Sequence, residues 1–330
     1  MKNYFSCATL LLVASLVGPI AVSLGDEPPS DTVATQSAHD DIRPLKGLLI
    51  TGGCCHDYKA QEKIVTEGMS QRVNITWDVV HEGGGKGKHK ISKYSEPDWA
   101  MGYDVIFHNE CFGGVADADF IQGITAAHHQ GVPGIFVHCS LHSYRNAAAA
   151  ADPWRELIGV TSTRHENRRG LTVRTMNETH PIMKGFSDSW ETPHGELYKI
   201  QKMWPNCVPL AQAYGEDSKK DHVVAWTNTF GKARIFGTSI GHHNETMNTD
   251  VWLDLVARGV LWSTQKLQED GTPVQGYAGS GIKPILIEMK PEVDPAFKNK
   301  PGKKQEKQKA KAKKKAGLPA KPAKPAVPAK

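Results

Sequence analysis

Four short apolar runs, each halted by glycine, histidine or cysteine and spaced by stretches of helical periodicity, constrain this chain more than any other feature. The first covers 45–51 and stops at Gly52-Gly53; the others cover 76–81, 104–109 and 134–139, the second broken by Gly83-Gly84-Gly85. Runs without polar alternation are buried on both faces, as parallel strands are. The helical stretches at 58–71 and 118–130 supply the crossovers that such strands need. The expected class is α/β, with a three-layer, doubly wound, mostly parallel sheet. After Gly170 the pattern shifts to strand and loop, with runs at 171–174, 197–200, 208–211, 222–227 and 233–237, before a last helix at 250–263. No second Pro- or Ser-rich break interrupts 44–267, so one domain is expected there.

The formal net charge of +5 hints at a nucleic-acid partner until it is located. Residues 298–330 hold thirteen Lys against one acid, Glu306; removing that +12 leaves −7 for residues 1–297. The body is acidic and the basicity is a tail. Its Lys, Ala and Pro cannot bury enough apolar surface to offset ordering entropy, so 298–330 reads as disordered and the Gly- and Pro-rich 268–297 as a linker. An anionic envelope polymer suits such a tail through counterion release. No aromatic residue follows Phe297, so base stacking and specific nucleic-acid binding are not expected. At the other end, 1–25 has the charged start, apolar run and small-residue stop of a secretory signal peptide. The expectation is an exported protein with no membrane span after cleavage, followed by a polar linker at 26–43. Five cysteines lie beyond Cys7; an odd number in an exported chain implies no disulfide framework, and at most one or two pairs.

In a wound sheet, ligands sit outside the carboxyl ends of the strands. The residues there are Cys54, Cys55, His56 and Asp57; His108, Asn109 and Glu110; His138, Cys139, Ser140, His142, Tyr144 and Arg145; and His242, His243, Asn244 and Glu245. Three chemistries fit. A Cys139 nucleophile would need small residues on both sides of a tight elbow, and its neighbours are not glycines, so a buried inert thiol is the better reading. A divalent metal such as Zn could use His138 and His142 with His242, His243 and Glu245, although no paired motif marks it and the cofactor stays open. General acid–base work on a sugar would draw protons from His56, Asp57, His142, His194, Glu196, His242 and Glu245, with Tyr144, Trp154 or Tyr198 as a stacking face. His108-Asn109-Glu110 can be read as loop supports, and His128-His129 as helix surface.

Several strings then form a pattern: Leu49-Ile-Thr-Gly-Gly with His56-Asp57; Gly134-Ile-Phe-Val-His138 with His142-Ser-Tyr144-Arg145; Trp154-Arg-Glu-Leu-Ile-Gly159 and His165; His180-Pro181 through Gly185; His194-Gly-Glu196-Leu-Tyr198; Asp221-His222 through Trp226; Gly241-His242; and Leu261-Trp262. Over about 45–265 the chain resembles the ThuA-like (trehalose utilisation) family. The resemblance implies a class I glutamine amidotransferase-like, flavodoxin-like fold and a link to disaccharide or 3-keto-sugar metabolism. It does not imply glutaminase activity, because His138 rather than a cysteine falls nearest the nucleophile's place. On this reading His142 and His242 are the leading acid–base candidates, with His56, Glu196 and His138 in support. Tyr144 and Arg145, with Asp57, His194, His243 and Glu245, would contact substrate. A non-catalytic sugar-binding module tethered by the basic tail is the alternative from another class.

Overall fold

The computed structural model describes residues 42–83 and 87–280. The expected signal peptide, nearly all of its linker, and the Lys-rich tail lie outside the described residues.

The first half alternates as its apolar runs require: β1 (Leu45–Gly53), α1 (Tyr58–Arg72), β2 (Ile75–His81), β3 (Val105–Cys111), α2 (Ala118–His129) and β4 (Gly134–Val137). A 3-10 turn over His138–His142 leads toward α3 (Asp152–Ile158). Then come β5 (Val160–His165), β6 (Thr172–Thr175), β7 (Ser189–Glu191), β8 (Tyr198–Met203), β9 (Val208–Gly215), β10 (Lys220–Phe230), β11 (Ala233–Thr238), α4 (Asn244–Met247) and α5 (Asp250–Ser263).

Nine strands form one sheet in the order β2-β1-β3-β4-β11-β10-β9-β6-β7, and β5 pairs with β8 in a separate ribbon. The sheet is mixed, which corrects the expectation of a mostly parallel one. Pairing is parallel from β2 to β11 and antiparallel from β11 to β7. The cause is connection length. Only Gly231 and Lys232 join β10 to β11, a hairpin too short for a crossover.

β1 explains why its sequence shows no polar alternation. Leu45 and Leu49 join one buried cluster with Ile64, Val65 and Met69 of α1 and with Trp252 and Val256 of α5. Leu48 and Ile50 join another with Ile121 and Ile124 of α2 and Trp154 of α3. The strand therefore has no solvent face.

Three further readings change. The fourth strand stops at Val137 rather than running to Cys139, because His138 takes a left-handed φ of 45°. His128 is not helix surface; it is fully buried. The segment from 268 does not leave the body at once: Leu267 bridges Pro273, and the Asn74 amide donates to the Tyr277 carbonyl at 3.0 Å.

Candidate functional site

The carboxyl ends of β1, β4 and β11, with the loop before β8, bring His56, His138, His242 and Glu196 together. Gly53 has a φ of 109°, and a Cβ there would strike the Cys111 carbonyl, so only glycine lets β1 turn into the loop that carries His56. Asp57 follows and caps α1, accepting from the Ala60 amide at 3.2 Å. After β4 the chain bends at His138 itself. A bulky residue in the left-handed region is strained, and such strain is typical of sites that must aim a side chain. The elbow is thus present without the glycines that normally mark it, and it presents His138 rather than Cys139.

One ring nitrogen from each of His56, His138 and His242 lies within 4.8 Å of the other two. His138 Nε2 is 3.2 Å from His242 Nδ1, and the Glu196 Oε2 atom is 3.3 Å from the first and 3.4 Å from the second. Two of the rings have fixed tautomers. His138 Nδ1 is 2.7 Å from the Ser239 carbonyl and His56 Nδ1 is 3.3 Å from the His242 carbonyl. A carbonyl only accepts, so both Nδ1 atoms carry hydrogen, and in the neutral rings each Nε2 keeps a free lone pair. Outer contacts of this kind are what orient metal-binding histidines.

Burial disfavours the charged forms of His56 and His242, whereas the neighbours of Glu196 favour its ionised form. Burial holds His56 well below its ordinary value, helped by His138 and His242. Burial also lowers His242, although Glu196 opposes it. Burial alone would raise Glu196, but hydrogen bonds and charge from His138 and His242 hold its carboxyl well below the usual range. Its other oxygen accepts from Arg168 Nε at 3.0 Å and lies 3.3 Å from His165 Nδ1.

The remaining candidates divide. His142 is not beside His242: its ring stacks on Tyr198 at 3.9 Å and 4°, its Nε2 meets Ser162 Oγ at 3.1 Å, and burial lowers it to about 3. His243 packs against the His242 ring at 4.4 Å, and burial lowers it to about 3; its Nδ1 is buried without a hydrogen-bond partner. His194 is exposed, 5.2 Å from the His243 ring. Asp57 and Arg145 are exposed, and one buried Glu245 oxygen has no partner. Tyr144, Trp154 and Tyr198 are all fully buried, so none offers an open face for a sugar ring. Local sequence signals neither Arg168 nor the Ser239 carbonyl; no motif marks a backbone oxygen, and Arg168 sits in an Arg-rich loop that reads as surface.

Cysteine placement also differs from expectation. Cys139 is not a free thiol; it forms a disulfide with Cys111, the Cα atoms 5.3 Å apart. Cys54 is lowered to about 6, by a hydrogen bond from Cys55 and the charge of Arg145 against partial burial, while the same hydrogen bond raises Cys55.

Comparison with solved structures places the fold. A ThuA-like protein from Parabacteroides merdae ATCC 43184 superposes with a TM-score of 0.55 at 16% identity, covering 72% of this chain and 97% of that one. A second, from Bacteroides uniformis ATCC 8492, gives 0.51 at 14% identity, covering 68% and 94%. No curated protein matches the sequence. The ThuA family model, described as trehalose utilisation, matches residues 55–263, a span that holds every side chain of the His and Glu196 cluster, and the chain belongs to that family.

Proposed function

We propose that this protein is an exported enzyme acting on a disaccharide or its 3-keto derivative, with His56, His138 and His242 holding a divalent cation such as Zn²⁺ beside the Glu196 carboxylate. The observation that carries this reading is the contact of His138 Nε2, His242 Nδ1 and Glu196 Oε2, all within 3.4 Å of one another. The His138 Nε2 lone pair and the Glu196 carboxylate oxygen repel unless one positive centre, the hydrogen of His242 Nδ1–H or a metal ion, lies between them. Three imidazoles and one carboxylate are a zinc-type donor set. A bound cation would supply Lewis-acid polarisation of a sugar carbonyl or hydroxyl.

The side chains around it have separable roles. The Ser239 and His242 carbonyls fix the His138 and His56 rings. Arg168 donates to the other Glu196 oxygen and so aims the carboxylate inward. Arg145 and His194, exposed nearby, are available to sugar hydroxyls. The sugar class rests on the family's description and the export on the leader-like 1–25.

A second reading needs no metal: the positive centre is a proton shared by His242 and Glu196, and the pair works as acid and base. Its support is the low-lying Glu196 carboxyl. Elemental analysis of the purified protein, with product formation from trehalose and 3-keto-trehalose before and after chelation, separates them. One bound ion per chain, with turnover lost on chelation and restored by Zn²⁺, supports the metal reading. Turnover indifferent to chelation supports the proton. Sugar binding without any product would overturn both in favour of a binding module.

A further inference from the structure

Three cysteines from three different strand ends meet at the edge of the histidine cluster. Parallel pairing sets Gly53 opposite Cys111, so the next residue, Cys54, is held against the Cys111–Cys139 disulfide. The Cys54 amide lies 3.4 Å from the Cys111 carbonyl, the Tyr58 hydroxyl donates to the Cys54 carbonyl at 3.2 Å, and Tyr58, Cys111 and Cys139 form one buried cluster against which Cys54 packs. Cys54 Sγ is 3.9 Å from Cys111 Sγ, which is contact distance for two sulfurs.

We propose that Cys54, Cys111 and Cys139 form a thiol–disulfide exchange centre. The Cys54 thiolate attacks Cys111 Sγ, the Cys54–Cys111 bond forms as the Cys111–Cys139 bond breaks, and Cys139 leaves with the electron pair as a thiolate. The proton given up by Cys54 is returned to Cys139 through solvent. Nothing is oxidised or reduced overall, so the step needs no outside reagent. Its consequence is local. Cys139 follows His138 in the 3-10 turn that also carries His142, and Cys54 lies two residues before His56, so the two bridge arrangements would anchor different histidine-bearing segments.

The test is disulfide mapping of the full chain purified without reductant and equilibrated at pH 8. Acid quench and capping of free thiols with N-ethylmaleimide under denaturing acid conditions would precede pepsin digestion, which can separate Cys111 from Cys139 without reshuffling. The expected result is two bridged species, Cys111–Cys139 with Cys54 capped and Cys54–Cys111 with Cys139 capped. In Cys54→Ser the capped Cys139 should vanish, whereas Cys55→Ser should keep both species. Cys139→Ser should drive the bridge entirely to Cys54–Cys111, and this variant keeps the test open if Cys54→Ser folds poorly. A single Cys111–Cys139 species in the native protein, a bridge to Cys55 instead, fully free thiols, or no Cys54–Cys111 bridge in Cys139→Ser would each overturn the proposal.

Discussion

Among the described residues, two buried histidine–carboxylate clusters differ in what is left over. In the inner one, His128 Nδ1 donates to the Val132 carbonyl at 2.7 Å, His128 Nε2 meets His108 Nε2 at 3.1 Å, and His108 Nδ1 meets Glu110 Oε1 at 3.0 Å, with the Tyr94 hydroxyl donating to the same oxygen at 2.8 Å. Every ring nitrogen has a partner, the buried Glu110 Oε2 atom alone is left without one in that cluster, and the His108 and Phe136 rings stack at 4.4 Å. In the outer cluster, at the strand ends, two Nδ1 atoms are committed to backbone carbonyls, and one ring nitrogen from each of His56, His138 and His242 lies within 4.8 Å of the other two. Histidine number does not distinguish a site from a core; the direction of the uncommitted lone pairs does.

This contrast can be broken most forcefully at His242. His242→Ala should cut sugar turnover by about 10²–10⁴-fold and remove any bound cation, with little change in the unfolding midpoint. Loss of folding in step with turnover would erase the distinction between the clusters. Glu110→Ala should do the reverse, costing about 1–3 kcal/mol because it leaves a buried polar group unpaired, measured by urea unfolding, with metal content unchanged.

A smaller effect separates the clusters by pH. Burial lowers His128 to about 3, with the nearby His108 adding to it, and burial also lowers His142 to about 3. The unfolded chain protonates these rings first, near pH 6.5, so the stability they contribute is present above that pH and is lost as pH falls toward 3. Each should add a slope approaching about 1.4 kcal/mol per pH unit in that window. His128→Asn should flatten the curve seen in urea midpoints between pH 7 and 4; an unchanged curve would mean that the ring is protonated in the fold. Smallest is Asp57→Ala, which should cost about 1 kcal/mol through the lost cap of α1 and leave KM for sugar unaltered. A large rise in KM at unchanged stability would make Asp57 a substrate contact after all.

The strands of the parallel half were legible because burial on both faces leaves an unmistakable apolar run. The antiparallel half was read as strands but not as pairing, since direction depends on loop lengths such as the two residues between β10 and β11. His128 was legible and missed: it lies four residues after Ile124 and seven after Ile121, on the buried face of α2. The Cys111–Cys139 bridge was not, because it follows from the adjacency of β3 and β4. With Ile106 opposite Gly134, Cys111 and Cys139 each lie five residues further on, and only the strand order reveals it. The histidines of the cluster were named individually from the strand-end rule, and Glu196 from the acid–base residue set and the family resemblance. Which of them meet depended on the His138 elbow and on Tyr198 standing between His138 and His142, and neither is encoded in local spacing.

The packing of residues 271–280 settles where attachments leave the body. Asn74 Nδ2 donates to the Gly276 carbonyl at 2.9 Å, Val73 bridges Ala278, and a Cβ on Gly276 would strike Ile42. Both ends of the described chain therefore emerge together beside the first residues of β1 and β2. The His56 loop begins at the other end of β1, roughly 25 Å away along the strand. A load applied at Ile42 or at Ser280 would therefore enter the fold at the pole opposite the His56 loop.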